Sequence, residues 1–381
     1  MDKINRRLML GGLGMVGAGL TGAVRAQSTR QGNGVSANAV PTAPDPGARH
    51  RLRFAVIGLD HPHIFAMTDA LIRGGGTLVA VHASDPRQLA RYLARYGDVK
   101  VARTEAEILE DESVQVVASA SIPHLRAPLG IRVMLAGTDF LSDKPGITSL
   151  AQLDEVRRTI ASTGRKFAIM YSERLEVRAA VKAGELVAAG AIGEVLHTVG
   201  LGPHSLTNGK RAPYFFQRDQ YGGILCDIGS HQVEQFLFFS GVMEGDVVPA
   251  TVANRAHPET PGLQDVGDMH LKTPRTTGFV RRDWFTPAGL GPWGDGRLTI
   301  LGTEGYIELR KYIDVEGRPG SDHLFLTDRT GTRHVDCSQV PLPYGPALRE
   351  DVLARTETAM PQERCFNATD LAITAHEQAG R

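Results

Sequence analysis

Leu52-Arg53-Phe54-Ala55-Val56-Ile57-Gly58-Leu59-Asp60-His61-Pro62-His63 is the stretch from which the fold is read. Residues 52–57 form an apolar run of strand length that stops at a glycine. Residues 63–73 follow with apolar positions at helical spacing. Strand, glycine turn and helix make the opening unit of a parallel sheet. The alternation continues downstream. Strands are expected at 77–81, 101, 114–118, 139–141 and 166–170, and helices at 86–96, 105–110, 128–136 and 150–163. Such a series predicts a parallel sheet with helices on both faces, with ligands beyond the carboxyl ends of the strands.

After Tyr171 the pattern changes. A helix at 175–189 and a strand at 193–199 precede a long apolar helix at 225–241. Further strands are expected at 246–254, 268–271, 278–284, 298–301 and 306–309, with one or two helices within 345–381. This predicts an α/β domain over 51–170 and an α+β domain over 171–381 built on a large, mostly antiparallel open sheet. A length of 381 residues fits two domains.

Upstream of Leu52, residues 1–26 have a basic start and a glycine-rich, weakly apolar stretch, with Val24 and Ala26 as small residues for cleavage. The apolar stretch is short for a membrane span of about 20 residues. Arg6-Arg7, followed by Leu8-Met9-Leu10, resembles a twin-arginine (Tat) signal. Export to the periplasm or another extracytoplasmic space is expected, by a route that carries folded proteins. Residues 27–50, rich in Ser, Thr, Gly, Asn and Pro, read as a flexible linker.

The formal net charge is zero, which gives no reason to expect nucleic acid or an anionic membrane surface as a partner. The three cysteines, Cys226, Cys337 and Cys365, are too few and too widely spaced for a disulfide framework.

Two segments carry chemistry. Ser142-Asp143-Lys144-Pro145 follows the fifth strand and brings Lys144 to the carboxyl edge of the sheet. A lysine there can touch a cofactor ribose and a substrate hydroxyl; a lone lysine in a turn is otherwise a surface residue. Gly222-Gly223-Ile224-Leu225-Cys226-Asp227-Ile228-Gly229-Ser230-His231 sets Asp227 and His231 four residues apart, on one face of a helical turn. A carboxylate beside an imidazole can tune it for proton transfer near neutral pH. A helix cap and a packed histidine are the bland alternatives.

The order of these motifs resembles the Gfo/Idh/MocA oxidoreductases. Asp143-Lys144-Pro145 stands where that family has Glu-Lys-Pro. Gly190-Ala191-Ile192-Gly193, the Gly-Gly-x-Leu-x-Asp-x-Gly-x-His segment and Gly302-Thr303-Glu304-Gly305 match its second domain. The resemblance runs from Leu52 to the C-terminus. It implies a Rossmann-like N-terminal domain and a substrate and oligomerisation domain. It also implies hydride transfer between a sugar, polyol or glycoside and NAD or NADP, and a homo-oligomer, dimer or tetramer. Lys144 would contact nicotinamide and substrate, Asp227 would position the substrate, and His231 would exchange a proton with its hydroxyl. Export implies a tightly held cofactor, because soluble nicotinamide is scarce outside the cytoplasm.

The chain departs from the family at the cofactor. Of the Gly-x-Gly-x-x-Gly loop only Gly58 survives; Asp60 and His63 replace the second and third glycines, with His61 between them. Asp60 adds a negative charge where two phosphates would lie. An acidic residue commonly ends the second strand to bind ribose; here Ala83 precedes Ser84 and Asp85. Ser84 and Arg87 favour acceptance of NADP, whereas Asp85 would serve NAD from a shifted position. Pro123-His124 replaces a Pro-Asn pair near nicotinamide. Gly58, Asp60, His61, His63, Ser84, Asp85, Pro123, His124, Lys144 and Pro145 are thus the expected cofactor contacts. The same changes gather histidines, with His204 joining from the second domain. They raise a rival reading: a metal site of His61, His63, Asp227 and His231 in a lyase, isomerase or hydrolase. A non-catalytic binding protein is a third. Arg174 could reach the cleft, Tyr214, Phe215 and Phe216 could stack on a sugar, and the glycine-rich loop between Trp284 and Trp293 could be a lid or an oligomer contact.

Overall fold

The computed structural model describes residues 52–206 and 211–380. The expected signal and linker, residues 1–50, lie outside the described residues.

The first domain opens with β1 (Arg53–Ile57), α1 (His63–Arg73), β2 (Thr77–His82) and α2 (Pro86–Tyr96). It continues through β3 (Lys100–Val101), α3 (Ala106–Leu109), β4 (Val116–Ser119) and α4 (Pro123–Leu135). It ends with β5 (Asp139–Asp143), α5 (Leu150–Thr163) and β6 (Phe167–Met170). The strands form one sheet in the order β3-β2-β1-β4-β5-β6, and every pair is parallel. The near-complete burial of β1 and β4 explains their unbroken apolar sequence. The strand order reverses between β1 and β4, which opens a crevice at their carboxyl ends.

Local chemistry sets the helix ends. The Asp85 carboxylate accepts the Arg87 N–H at 2.8 Å and caps α2, with Pro86 in the first helical position. Ser149 caps α5 by accepting the Gln152 N–H. The fourth helix starts at Pro123, five residues before the expected Pro128. Pro128 cannot donate to the His124 carbonyl, and Gln152 Nε2 fills that gap at 3.0 Å.

The second domain contains α6 (Ser172–Leu175), α7 (Arg178–Ala188), β7 (Val195–Pro203) and α8 (Arg218–Tyr221). A π-type turn, Leu225–Gly229, runs into α9 (Ser230–Ser240), so the single expected helix is wider at its start. Then come β8 (Asp246–Ala253), β9 (Val266–Lys272), β10 (Thr277–Asp283), β11 (Arg297–Gly302) and β12 (Tyr306–Arg310). β13 (His323–Asp328) and β14 (Gly331–Val335) follow, then α10 (Tyr344–Leu353) and α11 (Gln362–Ala379). The eight strands are ordered β14-β13-β12-β11-β7-β10-β9-β8. Only β7 and β10 pair in parallel. The outer strands β13 and β14 were not expected; β14 is mostly exposed, with no apolar alternation to reveal it.

The last helix fixes one domain on the other. Gln362 Oε1 on α11 accepts the Phe167 N–H of β6 at 2.8 Å. Phe366 packs on Phe167 with ring centroids 6.4 Å apart. Tyr171 and Thr369 share a buried hydrogen bond. These contacts hold α9 over the carboxyl edge of the first sheet.

Candidate active site

Lys144 leaves the end of β5 and reaches Asp227 in the π-type turn. Its Nζ donates to Asp227 Oδ1 at 2.9 Å and to the Asp227 carbonyl at 2.8 Å. Gly222 and Gly223 precede that turn at φ 83° and 85°, a region L side chains rarely adopt. A Cβ on Gly223 would also lie 2.3 Å from the His376 ring. His231 follows one turn later, in the first turn of α9. Lys144, Asp227 and His231 are 4%, 2% and 3% exposed, so the three groups expected to act are buried together. One expectation is corrected. The Asp227 carboxylate is held by the Lys144 ammonium, and His231 Nδ1 is buried without a hydrogen-bond partner. Burial, aided by Lys144, Arg282, Lys311 and His63, pushes the His231 pKa well below its ordinary value. The imidazole is therefore neutral at pH 7 and able to accept a proton.

The second cluster differs from the expected ligand set. His63 Nδ1 lies 2.9 Å from Asp143 Oδ1, and His61 Nδ1 lies 3.3 Å from Asp143 Oδ2. The carboxylate joining the histidines is thus Asp143, while Asp227 belongs to Lys144. On the other side of Asp143 stands Arg126, fully buried, with Nη2 at 3.1 Å from Oδ2. Burial alone would raise the Asp143 pKa; His63 and Arg126 outweigh it and hold the group well below the carboxylate range. Sequence reading missed Arg126, because nothing local marks an arginine in α4 as a partner for the end of β5. His124 contributes its carbonyl to Gln152, and its Nδ1 is buried and unpartnered.

Several weaker candidates take structural places. His204 packs against Trp293 and Trp284, at ring distances of 4.5 Å and 5.6 Å, and stays with that aromatic group. Trp284 is buried and forms a wall with Phe215. Arg174 is bound by Glu234 at 2.6 Å and lies over the Phe238 ring. Phe215 does approach the site, 6.0 Å from the His61 ring. Glu173, which accepts from Gln232 Nε2 at 2.6 Å and faces Arg282, was not anticipated. The three cysteines are buried and free.

The loop after β1 lies where a dinucleotide pyrophosphate would sit in a fold of this kind. Gly58 keeps the tight turn at φ 85°, and a Cβ there would meet Ser121 Cβ at 2.7 Å. Beyond it most donors are taken. The Asp60 carboxyl lies toward its own N–H and that of Ile122, and both act to lower its pKa against burial. His61 N–H donates to the Ala120 carbonyl at 2.8 Å. Pro62 has no N–H, and His63 N–H points at His61 Nδ1, 3.2 Å away. The Ile64 and Phe65 N–H groups donate to the His61 and Pro62 carbonyls. A helix N-terminus binds phosphate through free N–H groups, and in this loop those of His61, His63, Ile64 and Phe65 are already engaged, so a pyrophosphate would have to displace some of them.

A family model described as the GFO/IDH/MocA C-terminal domain matches residues 180–308. A solved structure from Erwinia carotovora atroseptica SCRI1043, described as a candidate oxidoreductase, is 46% identical, with a TM-score of 0.84. That match covers 86% of this chain and 99% of the other. Levoglucosan dehydrogenase, solved with NADH and levoglucosan, shares the fold at 17% identity and a TM-score of 0.73, covering 87% of this chain and 98% of its own. Aldose-aldose oxidoreductase from Caulobacter crescentus, solved with glycerol, does so at 20% identity and a TM-score of 0.71, covering 87% and 99%. No curated protein matches the chain. With the two-sheet architecture, the motif order and these matches in agreement, the chain belongs to the Gfo/Idh/MocA family of oxidoreductases.

Proposed function

We propose that this oxidoreductase acts on a hydroxyl-bearing carbon of a sugar, polyol or glycoside, with Lys144, Asp227 and His231 as its chemical centre. The observation that carries the reading is the buried Lys144–Asp227 pair, 2.9 Å apart, with the buried His231 imidazole one turn away. In the oxidative direction His231 takes the hydroxyl proton, and the Lys144 ammonium lowers the energy of the developing alkoxide. Asp227 holds that ammonium and orients it toward the substrate.

The redox partner we propose is a nicotinamide dinucleotide, the group with which levoglucosan dehydrogenase was solved as NADH. Its pyrophosphate needs Asp60 to leave the loop donors. At the adenosine end the Asp85 carboxylate caps α2 and pairs with Arg87. That pair holds both groups, so acceptance of NADP through Ser84 and Arg87 would need the Asp85–Arg87 pair to open.

The pH profile tests His231. Because its pKa lies below the usual 6.5, the base form is present at neutral pH and is lost only as pH falls through the depressed value. The acid limb of kcat/KM for alcohol oxidation is expected below pH 6.5. His231→Asn should lower kcat by about 10²- to 10³-fold, the range for a lost general base. An acid limb at or above 6.5, or a His231→Asn variant of normal kcat, would remove His231 from this role.

We further propose export by the twin-arginine route, on the strength of Arg6-Arg7 and the residues after it. Replacing both arginines by lysine should leave the full-length chain in the cytoplasm on cell fractionation. Unchanged periplasmic recovery would refute the route.

A further inference from the structure

The substitutions that close the phosphate loop also build something. His63 stands where the third glycine of the loop would lie and His61 two residues before it, and Asp143 meets them from the end of β5. One potential ligand atom from each of the three residues lies within 4.8 Å of the others. His61 and Asp143 are buried, and His63 is about a quarter exposed, so the group is shielded on one side and open on the other. Two imidazoles and one carboxylate form a donor set used for zinc and for non-haem iron, with positions left for water or substrate.

We propose that His61, His63 and Asp143 bind a divalent transition-metal ion of the zinc class. The set is held in place before any ion arrives. His61 N–H is fixed on the Ala120 carbonyl, Pro62 stiffens the turn between the histidines, and the two rings pack edge to face at 4.1 Å. Arg126 holds Asp143 from behind through Oδ2, while its Nε donates to the Ser121 carbonyl at 2.7 Å. Ligand carboxylates are commonly held by such outer contacts, here an ion pair at 3.1 Å. Arg126 also decides which ion is preferred. With one carboxylate charge partly offset by a guanidinium, the site offers too little negative oxygen for magnesium or calcium, which take mostly oxygen ligands. Imidazole nitrogens select zinc, iron or cobalt instead.

The ion enters between groups now linked by hydrogen bonds: a His63 Nδ1–Asp143 bond is replaced by two bonds to metal, and any proton it holds is released to solvent. The site lies beside the chemical centre, with the His63 and His231 rings 6.4 Å apart and Lys144 next in sequence to Asp143. An ion there can polarise a substrate oxygen that Lys144 also approaches. The proposal does not depend on hydride transfer being the reaction.

The test is metal content and affinity, read without activity. Purified full-length protein, stripped with chelator and dialysed, is titrated with Zn²⁺ against a chromogenic chelator, and separately with Co²⁺ in the visible range. One Zn²⁺ per chain is expected, displaced by Co²⁺ with visible bands of four- or five-coordination and unaffected by millimolar Mg²⁺. His63→Ala, whose side chain is partly exposed and whose fold is checked by circular dichroism, should weaken binding at least tenfold. Asp143→Asn should do the same. Asp227→Asn should leave zinc affinity unchanged and so separates this ligand set from one centred on Asp227. No stoichiometric Zn²⁺ in the wild type, or equal affinity in His63→Ala, overturns the site. If zinc binds as described but sugar oxidation is absent, the metal site stands and the redox reading falls.

Discussion

Replacing Lys144 with alanine is expected to lower kcat for alcohol oxidation about a thousandfold, with little change in KM. Nζ is the donor closest to Asp227, and the account assigns it to the charge that develops on the substrate oxygen. Removing one preorganised donor at such a position costs about 10²- to 10³-fold. The upper end applies because the ammonium is also the buried partner of Asp227. The variant removes the ammonium from that carboxylate and leaves Arg211 and Arg282 as its cationic neighbours, and breaking a buried pair costs about 3–5 kcal/mol of stability. The two effects separate by experiment. Steady-state rates are taken at a temperature where circular dichroism shows the variant folded, and thermal melts report the stability loss on their own. A folded variant with near-normal kcat would mean that Lys144 is only a structural pair.

Substituting Asp60 with glycine is expected to tighten nicotinamide dinucleotide binding at least tenfold. In the wild type the Asp60 carboxyl stands at the second position of the loop, toward its own N–H and that of Ile122. Two unit charges about 4 Å apart at an effective dielectric of about 20 interact by ~4 kcal/mol. Arg126 and solvent reduce this repulsion, so about 1.4 kcal/mol, a factor of ten, is the minimum expected. Glycine also restores the close backbone approach that the second position of the loop provides. Burial raises the Asp60 pKa against the pull of Arg126, which marks the carboxylate as a costly occupant of this place. Calorimetric titration of both proteins with NAD and with NADP reads the change, and NADP should bind at least as tightly as NAD. Equal affinities in wild type and variant would show that the dinucleotide, if bound, does not pass over this loop.

The first domain was legible because its signals are local. Residues 52–57, the glycine stop at Gly58 and the helix after it all act within a few residues, whereas Asp85, read as a cofactor contact, caps α2 instead. The start of α4 was misplaced because Pro123 and Pro128 are equally good first-turn residues, and only the distant Gln152 compensates the second. Lys144, Asp227 and His231 were found from motifs that share a strand end and one helical turn. Their pairing was not, since a four-residue spacing suggested an Asp227–His231 contact while the fold brings in Lys144 from β5. The Arg126–Asp143–His63 chain joins α4, β5 and α1. Glu173 and Arg282 meet from α6 and β10. Such charge networks depend on which elements become neighbours, and neither periodicity nor spacing encodes them.

The central claim is that a buried Lys144–Asp227–His231 centre oxidises a sugar-like hydroxyl. The most direct measurement incubates the protein with NAD or NADP and a panel of aldoses, polyols and glycosides, and follows reduced nicotinamide by absorbance and by release on denaturation. The account predicts reduction with at least one member of the panel, lost in both Lys144→Ala and His231→Asn. Absence of reduction across the panel, with no dinucleotide bound or retained even by Asp60→Gly, would contradict it.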